Sequence, residues 1–258
     1  MPTTIRASAA VLVLLLGVAQ AYAIDHKNLD EGRPTRLDDA YAISTGEIAV
    51  ETGAGFRLPR HGAVQGFFPV EVLYGALPNF QIGIGSTIFT DPHEVDDRPK
   101  SGDLHLTGLY NFNQETLSLP AFGLKLGLGL PTGVDARGYS VEVKGIVTKS
   151  IERLSLHLNA GYAFLTDTRG DERDGRYELV LGFSYPVGAP RFTRATLVGD
   201  VFAQQAGHRG ESTTVGTEVG VRFQLTPRVV WDFGVGTEFA GPASRSLFYA
   251  TTGLSFGF

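Results

Sequence analysis

The last twelve residues, Leu247 to Phe258, restrict the fold more than any other stretch of the chain. Phe248, Ala250, Thr252, Leu254, Phe256 and Phe258 fall on one face of an extended backbone. Leu247, Tyr249, Thr251, Gly253, Ser255 and Gly257 fall on the other. A period of two marks a strand, and an aromatic side chain occupies the final position. A water-soluble domain rarely ends on a strand whose last side chain is an exposed Phe.

The amino-terminal end points the same way. Arg6 gives a positive n-region, Ala9 to Val18 an apolar h-region, and Ala21-Tyr22-Ala23 a small-x-small cleavage site. About ten apolar residues are too few for a transmembrane helix, which needs roughly twenty. Residues 1–23 are therefore expected to be a cleaved export signal. No later apolar segment reaches that length, which excludes a helical membrane protein. The chain has no Cys, so disulfides, thiol catalysis and Cys-held metals are excluded too. Loss of Arg6 takes Lys+Arg from 22 to 21 against 27 Asp+Glu, one unit more negative than the full-length −5. A mildly acidic chain argues against nucleic acid as a partner. Its 33 glycines stand well above the usual share of about 7% and suit a barrel.

After a charged leader, residues 24–45, twelve segments alternate cleanly. They run approximately 46–57, 67–76, 80–89, 103–111, 121–130, 139–150, 154–164, 176–185, 193–204, 213–224, 229–239 and 247–258. Each is close to the 9–11 residues, roughly, that a tilted strand needs to cross an outer membrane. Leu77-Pro78-Asn79, Ile151-Glu152-Arg153 and Thr226-Pro227-Arg228 read as tight turns. Longer polar connections lie between them, as when turns face the periplasm and loops face outside. Phe112 to Pro120 and Pro186 to Phe192 are long for turns. An even strand count places both termini on the periplasmic side.

Side-chain chemistry assigns the faces. Leu126 and Leu156 lie on faces made of apolar residues, Lys125, Gly127, His157 and Asn159 on the opposite ones. The apolar face must meet lipid, because a charge there costs roughly 2–4 kcal/mol at mid-membrane. Outward aromatics gather at both strand ends, Tyr74, Tyr110 and Trp231 low, Phe56, Phe164 and Phe239 high, as two girdles. The competing reading is a soluble sandwich or lipocalin-like barrel with an apolar interior. The terminal strand resembles the recognition strand that the barrel-assembly machinery reads in bacterial outer-membrane proteins, with Phe256 and Phe258 as the signal. The expected fold is thus all-β: an antiparallel up-and-down transmembrane β-barrel of about twelve strands, residues 46–258, in contact with outer-membrane lipid and lipopolysaccharide.

The lumen should then hold the function. Its inward set includes Glu47, Glu51, Glu71, Asp103, Glu142, Glu178, Asp200, Glu218, Asp232 and Glu238. Facing them are Arg57, Lys125, Lys144, Arg176, Arg194 and Arg222. Buried charges need partners or water, so the interior is either a hydrated passage or a salt-bridge network. Inward glycines, among them Gly53, Gly55, Gly127, Gly234 and Gly236, suit open space or strand bending. Leu73, Phe89, Leu109, Ile146, Val180, Val198, Phe202, Val230 and Tyr249 also face inward. Apolar surface beside spaced charges suits a small aromatic or amphipathic solute, and the acidic excess disfavours anions. Val180, Val198 and Phe202 would form an apolar strip beside Asp200.

Catalytic and metal chemistry find no support. Ser155, His157 and Asn159 stand side by side on one strand, about 6–7 Å per step. That is too far for a nucleophile–base pair, which needs about 3 Å. Asp167 to Asp174 is acidic, but Arg169 stands where a calcium loop needs its second ligand. A solvated outer loop sharing divalent cations with lipopolysaccharide is the simpler reading. The six histidines show no metal-ligand spacing, and no cofactor is expected.

Leu119-Pro-Ala-Phe-Gly-Leu-Lys-Leu-Gly-Leu-Gly-Leu-Pro-Thr-Gly133 and Ile151-Glu-Arg-Leu-Ser-Leu-His-Leu-Asn-Ala-Gly-Tyr162 carry a family resemblance. Over about residues 100–258 the chain resembles the outer-membrane transporter family associated with meta-pathway phenol degradation. The resemblance implies a β-barrel that passes aromatic or other hydrophobic compounds and carries over no binding residue. Two readings stay open: a passive channel for small hydrophobic or aromatic solutes, or a non-transporting barrel, an envelope-lipid enzyme or structural anchor. The leader is a periplasmic extension or a short plug. Neither the solute nor the oligomeric state follows from the sequence.

Overall fold

The computed structural model describes residues 25–29, 33–90, 100–134, 136–189 and 193–258; the expected export signal lies outside them. The strands are β1 (Ile48–Pro59), β2 (Gln65–Leu77), β3 (Phe80–Thr90), β4 (Lys100–Ser101), β5 (Leu104–Asn111), β6 (Ala121–Leu130) and β7 (Ser140–Ile151). They continue as β8 (Leu154–Leu165), β9 (Gly175–Val187), β10 (Ala195–Gln204), β11 (Thr214–Thr226), β12 (Val229–Ala240) and β13 (Ser246–Gly257). The two-residue β4 only extends the loop end of β3. The other twelve form the wall, each antiparallel to its sequence neighbours. Pairing of β1 with both β2 and β13 closes the ring, and closure removes every sheet edge.

Closure is tied off where the chain ends meet. The Ile48 N–H donates to the Phe258 carbonyl at 3.1 Å, and the Phe258 N–H returns to Ile48 at 2.9 Å. The tight turns lie at this same end. Asn79 and Glu152 turn the chain with φ of 61° and 57°, a left-handed conformation that Asn tolerates well and Glu adopts at some strain. The segment 112–120 stays as a longer connection there, whereas Pro186 and Val187, expected in a connection, extend β9.

Burial is inverted relative to a soluble protein. Leu126 and Leu156 are 50% and 41% exposed, while Lys144 and Asp232 are 1% and 0% exposed. A wall that presents leucine outward and encloses its charges is stable with hydrocarbon as the outer solvent, which eliminates the soluble alternative. Parity fails at the start of β13. Leu247, expected to face inward, is exposed, because the β1–β13 register slips between Leu58 and Pro59. The irregularity turns Ser246 inward instead, and a β-bulge of this kind carries no period-two signal.

The described part of the leader lies inside the barrel. Residues 25–29 run along the turn-end half of β9 to β11, where His26 Nδ1 meets Thr196 Oγ1 at 2.7 Å. The segment 33–44 rises to Arg36 and descends past β6 to β8 to the end of β2 and the start of β3. There the Ile43 N–H donates to Gln81 at 2.7 Å. Three apolar clusters bond leader to wall: Leu29 and Leu37 with Val180, Val198 and Phe202; Ala40 with Leu109, Ala121 and Ile146; Ile43 with Ala49, Leu73 and Val230.

Candidate functional site

The lumen has two halves. The turn-end half is filled by the leader, which enters an interior that many wall side chains were shaped to receive. Gly53 and Gly253 face each other across β1 and β13, and Arg33 lies over them. Gly220 and Gly234 pair across β11 and β12 beneath Pro34. A Cβ at Gly53 would stand 2.7 Å from Arg33 Cδ, and one at Gly220 would stand 2.6 Å from Pro34 Cβ. Gly53 and Gly234, expected to mark open space or strand bending, are slots for the leader, as are Gly220 and Gly253.

Charge on the leader meets charge on the wall. Arg33 pairs with Glu51 and Asp232, each at 3.1 Å. Arg36 reaches Glu218 at 3.1 Å, Glu178 at 3.2 Å and Glu238 at 3.7 Å, and lies 3.8 Å from the centre of the Phe202 ring. Burial opposes the Arg36 charge, but Glu218, Tyr249 and Glu178 outweigh it and hold its pKa above the ordinary value. Asp38 takes Lys125 at 3.0 Å and Lys144 at 3.2 Å. Asp200 lies buried opposite Glu218 in the β10–β11 register.

The loop-end half holds a cavity of about 530 Å³, a vestibule with Arg36 in its floor. Arg57, Glu71, Lys125, Glu142, Arg176 and Glu178 project into it, and Glu71 accepts the Thr107 hydroxyl at 3.2 Å.

The residues singled out from sequence divide accordingly. Glu51, Lys144, Asn159, Val180, Val198, Asp200, Phe202, Glu218 and Tyr249 all lie against the leader or close beside it. Glu71 and Lys125 line the vestibule, Lys125 while held by Asp38. The Val180–Val198–Phe202 strip is covered by Leu29 and Leu37. Asn159 accepts the Asp38 N–H at 2.8 Å and donates to its carbonyl at 2.9 Å. His157 instead sits between Thr148 Oγ1 and Ser184 Oγ, each at 3.0 Å, while Ser155 bonds Ser150. The three members of the Ser155–His157–Asn159 set thus each bond different partners. Sequence reasoning missed Arg33, Arg36 and Asp38. The available signal was the surplus of ten inward carboxylates over six bases, which asks for cations from outside the wall.

Solved structures share the fold. The KdgM porin aligns at a TM-score of 0.56 with 12% identity, over 81% of this chain and 99% of the porin. The same porin in complex with disordered oligogalacturonate gives 0.55 and 11%, over 81% and 99%. The translocator domain of autotransporter NalP from Neisseria meningitidis gives 0.51 and 10%, over 83% and 89%. No curated protein matches the sequence. The model of the family described as MetA-pathway of phenol degradation matches residues 32–256. The chain therefore belongs to that family, built as a closed outer-membrane β-barrel of twelve strands with its leader inside.

Proposed function

We propose that the protein is an outer-membrane channel for passive uptake of small hydrophobic or aromatic solutes, with the leader forming the narrowest part of the path. The observation that carries this reading is a closed wall around a vestibule of about 530 Å³, whose floor is a separate segment fastened by ion pairs. A wall built only as an anchor has no need of such a space. The family's description links it to phenol degradation, which favours a phenol-like solute. The covered apolar strip does not itself add support, since Leu29 and Leu37 account for it.

The second reading, a non-transporting barrel, is favoured by the dense packing of the leader. Planar-bilayer recording of the full-length protein separates the two. The channel reading expects discrete conductance that phenol added on the loop side reduces. Arg36→Ala should raise conductance, because Glu178, Glu218 and Glu238 lose their shared cation and a broken buried pair is worth about 3–5 kcal/mol. Silent bilayers for both proteins would leave the anchor reading standing.

A further inference from the structure

Eight of the nine apolar side chains read as inward are buried: Leu73, Leu109, Ile146, Val180, Val198, Phe202, Val230 and Tyr249 are each at most 7% exposed. Phe89 is the exception, at 47%. It lies at the loop end of β3, directly opposite Phe67 in the β2–β3 register, and lines a second cavity of about 430 Å³. Phe67 in turn lies under Arg57, whose guanidinium carbon stands 5.4 Å from the ring centre. Gly55 provides the space for that ring. Arg57, Phe67 and Phe89 thus form a ledge of one cation and two aromatic side chains across β1, β2 and β3 at the loop end, with Arg57 on the vestibule and Phe89 on the second cavity.

The charge balance at this level differs from that of the wall as a whole. The vestibule is lined by Arg36, Arg57, Lys125 and Arg176 against Glu71, Glu142 and Glu178, four cations to three carboxylates. Arg36 is committed to Glu178, Lys125 to Asp38, and Glu142 to Lys144. Arg57 and Arg176 form no ion pair among the described residues. The acidic excess that disfavoured anions is largely spent on the leader, deeper in the barrel.

We propose that this ledge binds small aromatic carboxylates, which deepens the channel reading above by naming the class of solute it admits. The carboxylate meets the guanidinium of Arg57, whose planar fork matches it bidentately. The ligand ring lies against Phe89 and the aromatic neighbour beneath the guanidinium. Arg176, on β9, adds positive potential across the vestibule. Cavities of this size hold ligands of one or a few rings.

Titration calorimetry of the detergent-solubilised full-length protein tests the ledge with benzoate, benzyl alcohol, benzylamine and cyclohexanecarboxylate. Benzoate should bind most tightly and benzylamine not measurably. Arg57→Gln should weaken benzoate roughly tenfold, as loss of a charged partner does, with unheated gel mobility unchanged. Phe89→Leu should keep carboxylate binding but erase the preference for benzoate over cyclohexanecarboxylate. Equal affinity for benzoate and benzyl alcohol, or an Arg57→Gln protein that binds benzoate normally, overturns the proposal. Equal binding of the two carboxylates by the unmodified protein overturns its aromatic part. Benzoate binding in a protein that never conducts would support the ledge and sink the channel reading; conductance without benzoate binding would do the reverse.

Discussion

Asp39 shows what enclosing the leader does to a single carboxyl group. It is 4% exposed and accepts the backbone N–H of Leu29 at 2.9 Å and of Tyr41 at 2.8 Å. Burial nevertheless dominates and pushes its pKa up to about 7. A carboxyl raised in the docked state contributes its stabilisation fully below its ordinary value of about 4 and loses it as pH rises through about 7. Leader docking should therefore weaken between about pH 4 and about pH 7, the window these two values span, and conductance in planar bilayers should rise across it. Asp39→Asn should flatten that dependence; a slope unchanged in the variant would assign the titration elsewhere. Such a role was not legible in the sequence, because Asp39 sits in a stretch without periodicity and its burial comes from walls distant in the chain. Asn159 is similar. Its inward parity was plain, but its two hydrogen bonds to the Asp38 backbone belong to the docked leader. Asn159→Asp, unremarkable for a residue facing open water, is expected to loosen the leader by placing a second acceptor against the Asp38 carbonyl.

Single strands were the most legible level, because a wall between lipid and lumen imposes period two on every one of them. β13 carries the most consequence, since it pairs with β12 on one side and β1 on the other. Deleting Phe258 removes the bond pair that fastens β13 to Ile48 at the closing seam. The fraction of protein reaching the membrane as a heat-modifiable barrel should fall severalfold; normal levels would show that the terminal residue is dispensable for assembly. Facing can be tested on β6 alone. Leu126→Arg puts charge into hydrocarbon at about 2–4 kcal/mol, whereas a Cβ at Gly127 meets Glu142 Cβ at an ordinary 3.4 Å. Leu126→Arg should lower unfolding stability in lipid vesicles far more than Gly127→Ser, and equal losses would place β6 the wrong way round. The limits of parity are physical too. Ser246 and Leu247 break it because a bulge adds a residue without changing composition.

At the scale of the whole molecule, wall and leader are held by different forces. Each wall strand is hydrogen-bonded to two neighbours, and closure of the ring uses no leader residue. The leader is joined to it by three small apolar clusters and by the ion pairs of Arg33, Arg36 and Asp38. Removing residues 25–44 should therefore leave a barrel that still migrates faster on gels unheated than boiled. Its lumen, however, changes in charge as well as width. Glu51, Asp232, Glu178, Glu218 and Glu238 lose their arginine partners, while Lys125 and Lys144 lose only Asp38. Five carboxylates each lose an arginine, while two ammonium groups lose one shared aspartate, and fixed charge along a pore wall selects the counter-ion. The shortened protein is expected to conduct more and to favour cations, read as a shift of reversal potential in a potassium chloride gradient toward the potassium value. A larger conductance with unaltered ion preference would mean that the carboxylates find other partners once the leader has gone. An unaltered conductance would mean that the leader does not set the width of the path.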